Sequence, residues 1–373
     1  MTRNGDKRGT RQFELISSLE HQVRSLLPST WSVRLELEPL VTGDRRVDAL
    51  AEISASNGTR TVVLVECRNT VVPRDVAMIA QQVKAQVGVL LDSGVRVGGA
   101  VLAAPFISPM TRTALDLAGM GWFDLTGNMR LQLDEPAVFL DRTGAERSGL
   151  RDPADRLLKS LRGPAAAKVV LELADTELPV GVRELADRAE VGAATSARVL
   201  ELLDREAVIV RSDDGAVTAV RKRLLVERWT QDYKVTTSNE VIRTLDPRGL
   251  SHALKTLPSL GTRVAVTGSA AVRAYLPDGV MPVSPLVSLS LYAEDPAELM
   301  GQLGLRRADR GANVLVLRPY SDVVHLKSRL LDGVEYASPA QVVADLLTGP
   351  GRSTEEAEQL IAALESNESG WER

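Results

Sequence analysis

Residues 164–220 read PAAAKVVLELADTELPVGVRELADRAEVGAATSARVLELLDREAVIVRSDDGAVTAV, and the chain is organised around this stretch. Pro164 suits the first turn of a helix, where its missing N–H costs nothing, and Val169, Val170, Leu171 and Leu173 supply that helix with a core face. VRELADRA, at 182–189, repeats apolar residues at helical spacing and turns Val182, Leu185 and Ala186 inward. Glu190, Val191 and Gly192 form a turn, where Gly192 is expected to relieve backbone strain. A further helix, from Ala193 to about Arg205, buries Val199, Leu200, Leu202 and Leu203. VIVRSDDGAVTAV then alternates around Asp214-Gly215, a strong hairpin signal.

Helix, helix, turn, helix and hairpin is the order of a winged helix-turn-helix, which lays the helix after the turn in the major groove of DNA. The start of that helix offers Ala194, Thr195, Ser196 and Arg198. Small residues permit close approach, hydroxyls can donate to phosphates or bases, and a guanidinium can reach guanine or a phosphate. Arg211 at the edge of the hairpin tip, and Arg221, Lys222 and Arg223 after its return strand, are the expected phosphate contacts. The same fold also serves protein contact. The acidic tip Asp213-Asp214 and the near balance of charge over 151–235 suit that use.

At 373 residues the chain exceeds one ordinary core, so two or three domains are expected. Aromatics make up only 3%, which leaves the cores to Val, Leu, Ala and Ile. One cysteine, Cys67, excludes an intramolecular disulfide and a thiolate zinc site, as suits a reducing cytoplasm. His21, His252 and His325 lie far apart, which argues against a His-based metal site. The polar start MTRNGDKRGTRQ has no apolar core of a secretory signal. No apolar run approaches the roughly 20 residues that span a bilayer. A net charge of −4 means that any DNA contact comes from a local basic patch.

Ahead of the opening stretch, residues 11–27 are helical in pattern, and WSVRLELEPL, RVDALAEISA and TVVLVEC read as strands, the last two joined by an Asn57-Gly58-Thr59 turn. A helix over 73–91, the buried strand GGAVLAAP, a Ser108-capped helix and GWFDLTGNMRLQL follow, so residues 1–145 are expected to form an α/β domain with a mixed sheet. Asp48 and Glu66 fall on neighbouring strands, with Arg68 two residues beyond the second. Two carboxylates and a cation suit Mg²⁺-dependent phosphodiester hydrolysis, with Asp48 and Glu66 as the metal ligands. RVDALAEI, VLVECRN and VPRDVAMIAQQVKA resemble the PD-(D/E)XK nuclease-like, restriction-endonuclease-like fold, in the order Asp, Glu-x-Lys, helix with Gln82. The resemblance implies Asp48, Glu66, Arg68 and Gln82 as catalytic positions, with Glu20 as an additional acid. The family's lysine is Arg68 here, a residue that holds its proton and favours a fixed ion pair, so an inactive domain is expected.

After the hairpin, RKRLLVERWTQDYK is an amphipathic helix with a basic entry, and TTSNEV at 236–241 reads as a boundary. VAVTGSAAVRAYL, at 264–276, resembles the Gly-Ser strand-turn-helix of the nucleotidyltransferase fold. The companion strand LVSLSLYAED has Ser288 and Ser290 where that chemistry needs metal-binding aspartates, so a degenerate domain with a plain turn and helix cap at Gly268-Ser269 is expected. The winged helix, this turn, GWFDLTGN and the ending SPAQVVADLLTGPGRSTEEAEQL together resemble the AbiEi-like antitoxins of type IV toxin–antitoxin pairs, loosely over about 100–365. That resemblance implies a DNA-binding transcriptional autoregulator and a cognate toxin as partner. The family carries its winged helix at the N-terminus, whereas here a nuclease-like domain precedes it.

The expected architecture is multidomain α/β and α+β: a nuclease-like domain over 1–145, a winged helix-turn-helix over 152–235 and a degenerate nucleotidyltransferase-like domain over 240–373, with a linker at 141–153. The expected function is a cytoplasmic, sequence-specific regulator binding double-stranded DNA as a homodimer, with no cofactor required. A Mg²⁺-dependent nuclease targeted by the winged helix, and an antitoxin, are the alternatives.

Overall fold

The computed structural model describes residues 3–42, 45–145, 158 and 160–372. The chain folds as two compact units, Met1–Arg156 and Leu157–Arg373. Of the stretch 141–153 read as a linker, Asp141 and Arg142 end a strand, and 146–153 lies outside the described residues.

In chain order the first unit contains α1 (Arg3–Leu26), β1 (Ser32–Leu37), a short pair β2 (Leu40–Thr42) and β3 (Arg45–Arg46), β4 (Ala49–Ser54), β5 (Arg60–Cys67), α2 (Pro73–Asp92), β6 (Val97–Ala104), α3 (Pro109–Leu117), β7 (Gly121–Asp124), β8 (Met129–Leu133) and β9 (Val138–Arg142). Its sheet runs β1-β4-β5-β6-β7-β8-β9. The central β5, β6 and β7 are parallel and the flanking pairs antiparallel, so the mixed sheet read from the sequence is present. The strand β5 is apolar from Val62 to Val65 because both of its faces are covered there. Val63 and Val65 join Ile16, Leu19 and Val23 of α1 in one core. Leu64, pointing the other way, joins Val76, Ile79 and Val83 of α2 and Leu115 of α3. Burying each such side chain contributes about 1.5–3 kcal/mol. Ser108 caps α3, accepting from the Thr111 N–H at 3.2 Å.

The second unit opens with α4 (Pro164–Asp175), α5 (Val182–Arg188), α6 (Ala193–Arg205) and the hairpin β10 (Ile209–Arg211) and β11 (Val217–Val220). Ahead of α5 the chain touches the return strand: Val180 and Val217 exchange N–H···O bonds of 3.0 and 2.9 Å. The turn between α5 and α6 stores its left-handed residue at Glu190 (φ 51°). Gly192, expected to carry that conformation, has φ −66° and precedes α6 as an ordinary extended residue.

Then follow α7 (Lys222–Thr230), α8 (Val235–Ser238), β12 (Glu240–Leu245), α9 (Leu250–Thr256), β13 (Val264–Thr267), α10 (Ser269–Tyr275), β14 (Leu289–Ala293), α11 (Pro296–Leu303), β15 (Arg306–Arg307), β16 (Val314–Arg318), β17 (Arg329–Leu331), β18 (Val334–Tyr336), α12 (Pro339–Leu347) and α13 (Ser353–Glu365). The seven strands order as β15-β12-β16-β14-β13-β18-β17. The stretch 236–241, read as a boundary, is instead the end of α8 and the start of β12, which pairs with β16. Tyr233, Val235 and Asn239 around it are all buried. No helix among the described residues is long and apolar enough to cross a membrane.

Candidate nucleic-acid interface and carboxylate pair

The α5–turn–α6 unit is set by its apolar face. Leu185 and Ala186 of α5 and Val199, Leu200, Leu202 and Leu203 of α6 are buried. The Val191 N–H donates to the Ala186 carbonyl at 2.9 Å, closing the turn. Ser196, expected at the DNA surface, is instead completely buried, and its hydroxyl donates to the Val182 carbonyl at 3.3 Å. One helical turn separates Ser196 from Val199 and Leu200, so it shares their inward face. What α6 presents outward at its start is Ala193, Ala194, Ala197 and Arg198, with Thr195 half-buried. Arg183, on the outer side of α5, was not picked out from the sequence. Like Arg198 it is exposed and carries no ion pair among the described residues.

The cations after α6 are not alike. Arg211 folds back on its own hairpin, Nε donating to the Gly215 carbonyl at 2.9 Å. The tip is acidic, and Ser212 holds the Asp214 carboxyl below its usual range by hydrogen bonding. Arg221 is exposed and donates to the Ala207 carbonyl at the end of α6, at 2.8 Å. Lys222 and Arg223, expected to hold phosphates, are turned inward. Lys222 pairs with Glu368 at 3.4 Å, and Arg223 with Glu358 at 2.7 Å and Glu227 at 2.9 Å. Only 15% and 12% of these two side chains is exposed, and three carboxylates have spent their charge, which removes them from a phosphate-facing surface.

In the first unit, Asp48 and Glu66 do lie together at the start of β4 and the end of β5, and Gln82 of α2 faces them. The Glu66 carboxylate, 3% exposed, is in contact with the Arg68 guanidinium and accepts from Gln82 Nε2 at 3.4 Å. Arg68 in turn donates to Gln82 Oε1 at 3.1 Å. The Asp48 carboxylate accepts from the Cys67 N–H at 2.7 Å and from Gln12 of α1 at 3.2 Å. Thus Gln12, rather than Glu20, is the α1 residue that reaches the pair; Glu20 is bonded to Arg24 at 2.8 Å. Burial and then the Asp48 charge push the Glu66 carboxyl up, against the pull of Arg68. The same burial pushes the Cys67 thiol up to about 12, which leaves no thiolate.

These residues do not fit a divalent cation. Its two carboxylates are each already engaged, and an arginine neutralises the one that is most buried. Among the described residues, no group of three or more His, Cys, Asp or Glu side chains is placed to hold a metal.

The phrase GWFDLTGN proves to be a turn that ties β7 to the chain beyond β9. Buried Asp124 accepts from the N–H groups of Thr126 (2.8 Å), Asn128 (3.2 Å) and Ile107 (3.0 Å). Asn128 then accepts from the Gly144 N–H and donates to the Ala145 carbonyl, at 2.8 and 2.9 Å. At Gly268-Ser269 the turn has Gly268 at φ 66°, with no side-chain cap on α10. Ser269 is the first helical residue, and its hydroxyl donates instead to buried Glu356 at 2.6 Å.

One cluster escaped the sequence reading. Asp345 of α12 is buried, and four neutral donors converge on its carboxylate: Tyr233 (2.7 Å), Gln341 (2.8 Å), Tyr292 (2.8 Å) and Thr267 (2.6 Å). Asn239 donates to the Tyr233 hydroxyl at 3.1 Å. Burial outweighs these bonds and lifts Asp345 to about 6. The available signal was Gln341 and Asp345, four residues apart on one face of an otherwise apolar helix.

Residues 218–365 match the family described as transcriptional regulator, AbiEi antitoxin, type IV TA system. The match begins inside β11 and ends with α13, so it takes in α7 and the second sheet but neither α4–α6 nor the first unit. It is narrower than the span of about 100–365 read from the sequence. No curated protein and no solved structure matches the chain.

Proposed function

We propose that this protein is a DNA-binding transcriptional regulator that reads the major groove with α6. On this reading 152–235 is a winged helix-turn-helix, 1–145 a nuclease-like domain without cleavage chemistry, and 240–373 a degenerate nucleotidyltransferase-like domain. One observation carries it: α6 is locked by a buried face while its start offers to the outside Ala193, Ala194, Ala197 and Arg198, which has no ion pair among the described residues. A backbone approaches base edges most closely where side chains are small, and a free guanidinium beside them can fork onto guanine. The isolated Val180–Val217 bridge onto the return strand of the hairpin supports the same fold. The description of the family matched over 218–365 supports the role. A homodimer on a two-fold site is the accompanying expectation.

The test is a gel shift with DNA from upstream of the protein's own gene. At about 50 mM salt the phosphate attraction alone should give binding. Arg198→Ala should weaken specific binding by roughly 1–3 kcal/mol, about 5–150-fold, with the fold intact. Absence of any binding by the wild type at low salt overturns the proposal.

A second reading, an antitoxin, is favoured by the position of the family match, which lies on the second sheet rather than on α6. If so, Arg198→Ala should still protect cells from a toxin encoded beside this gene while losing DNA binding. Loss of protection together with DNA binding would count against a separate antitoxin activity.

A further inference from the structure

A two-stranded hairpin is marginal by itself and takes its orientation from what packs on it. The foot of β10–β11 is held by the stretch 366–372, which lies beyond the family match, with Glu368 standing 146 residues from Lys222 in sequence. The Lys222 N–H, at the start of α7 and two residues after β11, donates to the Gly370 carbonyl at 2.6 Å. Gly370 has φ 91°, and a Cβ there would stand 2.6 Å from the Val220 carbonyl oxygen, so only glycine lets the two backbones approach so closely. The Glu368 carboxylate bridges two elements: one oxygen pairs with Lys222 at 3.4 Å, the other with Arg329 on β17 at 3.0 Å. The Trp371 indole N–H donates to the same carboxylate at 3.4 Å, and the ring is 1% exposed. At the other side of the foot, Arg221 donates both to the end of α6 (Ala207) and, through its N–H, to Val208.

We propose that 366–372 is a strap that fixes the hairpin, and through it α6, on the second sheet, with Trp371 and Glu368 as positioning residues for the DNA interface. The proposal rests on the DNA-binding reading above. Neither residue faces DNA. Trp371 supplies the buried anchor, Glu368 links the hairpin foot to β17, and Gly370 makes the close backbone contact. Lys222 is thereby a structural cation, held by the strap rather than available to phosphate.

The experiment uses the full chain as wild type, W371A, W371F and E368Q, with amide hydrogen exchange and a salt series of gel shifts on the same DNA. In W371A the amides of 217–222 should exchange at least about tenfold faster while those of β13, β14 and β16 keep their protection. DNA affinity should fall about tenfold with an unchanged salt slope, because no phosphate contact is removed. W371F should restore both, and E368Q should show the same pattern more weakly. Unchanged exchange over 217–222 overturns the proposal. So does equal loss of protection in the sheet, which would make Trp371 a general core residue. Tighter binding with a steeper salt slope would also overturn it, since the strap would then be masking cations. If W371A does not fold, W371F and E368Q carry the test. Failure of the wild type to bind DNA sinks the regulatory reading separately, because the exchange data still decide whether the strap positions the hairpin.

Discussion

The contribution of Asp345 to the stability of the second unit should grow as the pH falls from about 7 to about 5, and Asp345→Asn should remove that contribution. Asp345 is buried with no cation paired to it among the described residues, and its carboxyl is lifted from 3.8 to about 6. The folded state therefore binds this proton more tightly than the unfolded chain does. The penalty for ionising it is absent below the unfolded value, grows between about 4 and 6, and is complete above that. The full penalty is on the order of 3 kcal/mol, and roughly half of it is recovered on going from pH 7 to pH 5. In a unit of this size that corresponds to about 3–5 °C in melting temperature. Asp232, Asp246, Glu335 and Glu368, whose carboxyls are held low, lose stabilisation over the more acid part of the range and act the other way. The quantity to measure is thus the difference between wild type and D345N in calorimetric or circular-dichroism melts at each pH. Asn keeps the shape of the side chain and removes its titration. A wild-type minus D345N difference that stays constant between pH 5 and about 7.5 would refute the reasoning, and with it the view that the carboxylate stands ionised among four neutral donors.

Arg223→Gln should lower the melting temperature, because Glu358 and Glu227 lose their partner, yet leave the salt slope of DNA binding unchanged; a slope smaller by about one would return Arg223 to the phosphate surface. Supercoiled plasmid incubated with Mg²⁺ should remain intact, since Arg68 and Gln82 occupy the Glu66 carboxylate. Nicking by the wild type that Asp48→Ala removes would show that the pair can open and bind an ion.

Much of the secondary structure was legible because it rests on local rules. The period of Leu185, Ala186, Val199, Leu200, Leu202 and Leu203 placed α5 and α6, and Asp214-Gly215 placed the hairpin. The apolar run TVVLVEC found β5, and Ser108 with Pro109 at the first helical position found the start of α3. What the sequence hid was tertiary. Ser196 reads as a surface hydroxyl until α6 is seen to turn it onto the Val182 carbonyl of α5. Lys222 and Arg223 read as a basic cluster because their partners, Glu358 and Glu368, stand more than 130 residues away. Glu190 took the left-handed turn conformation that Gly192 was expected to take, since the Val191 N–H had to reach Ala186. The Asp48–Glu66–Arg68–Gln82 grouping was legible as a cluster, but the occupation of its carboxylates by Arg68, Cys67 and Gln12 depends on side-chain geometry. Strand β12 was passed over because its helical preface, VTTS, is rich in residues that also mark loops.

The ring of Trp229 stacks on Tyr233 at 4.8 Å, and the Tyr233 hydroxyl in turn reaches Tyr292 on β14 and Asp345 on α12. The passage from α7 to β12 therefore offers no seam at which a gene could be cut and rejoined. A fragment ending there would leave an indole and a phenol with no socket, and a fragment starting there would leave an aspartate stripped of its foremost donor. Recombination that moved α4–α6 and the hairpin to a new scaffold would have to carry the socket along, so α4 to α13, with the 366–372 stretch that holds the hairpin foot, should be inherited, and engineered, as one cassette.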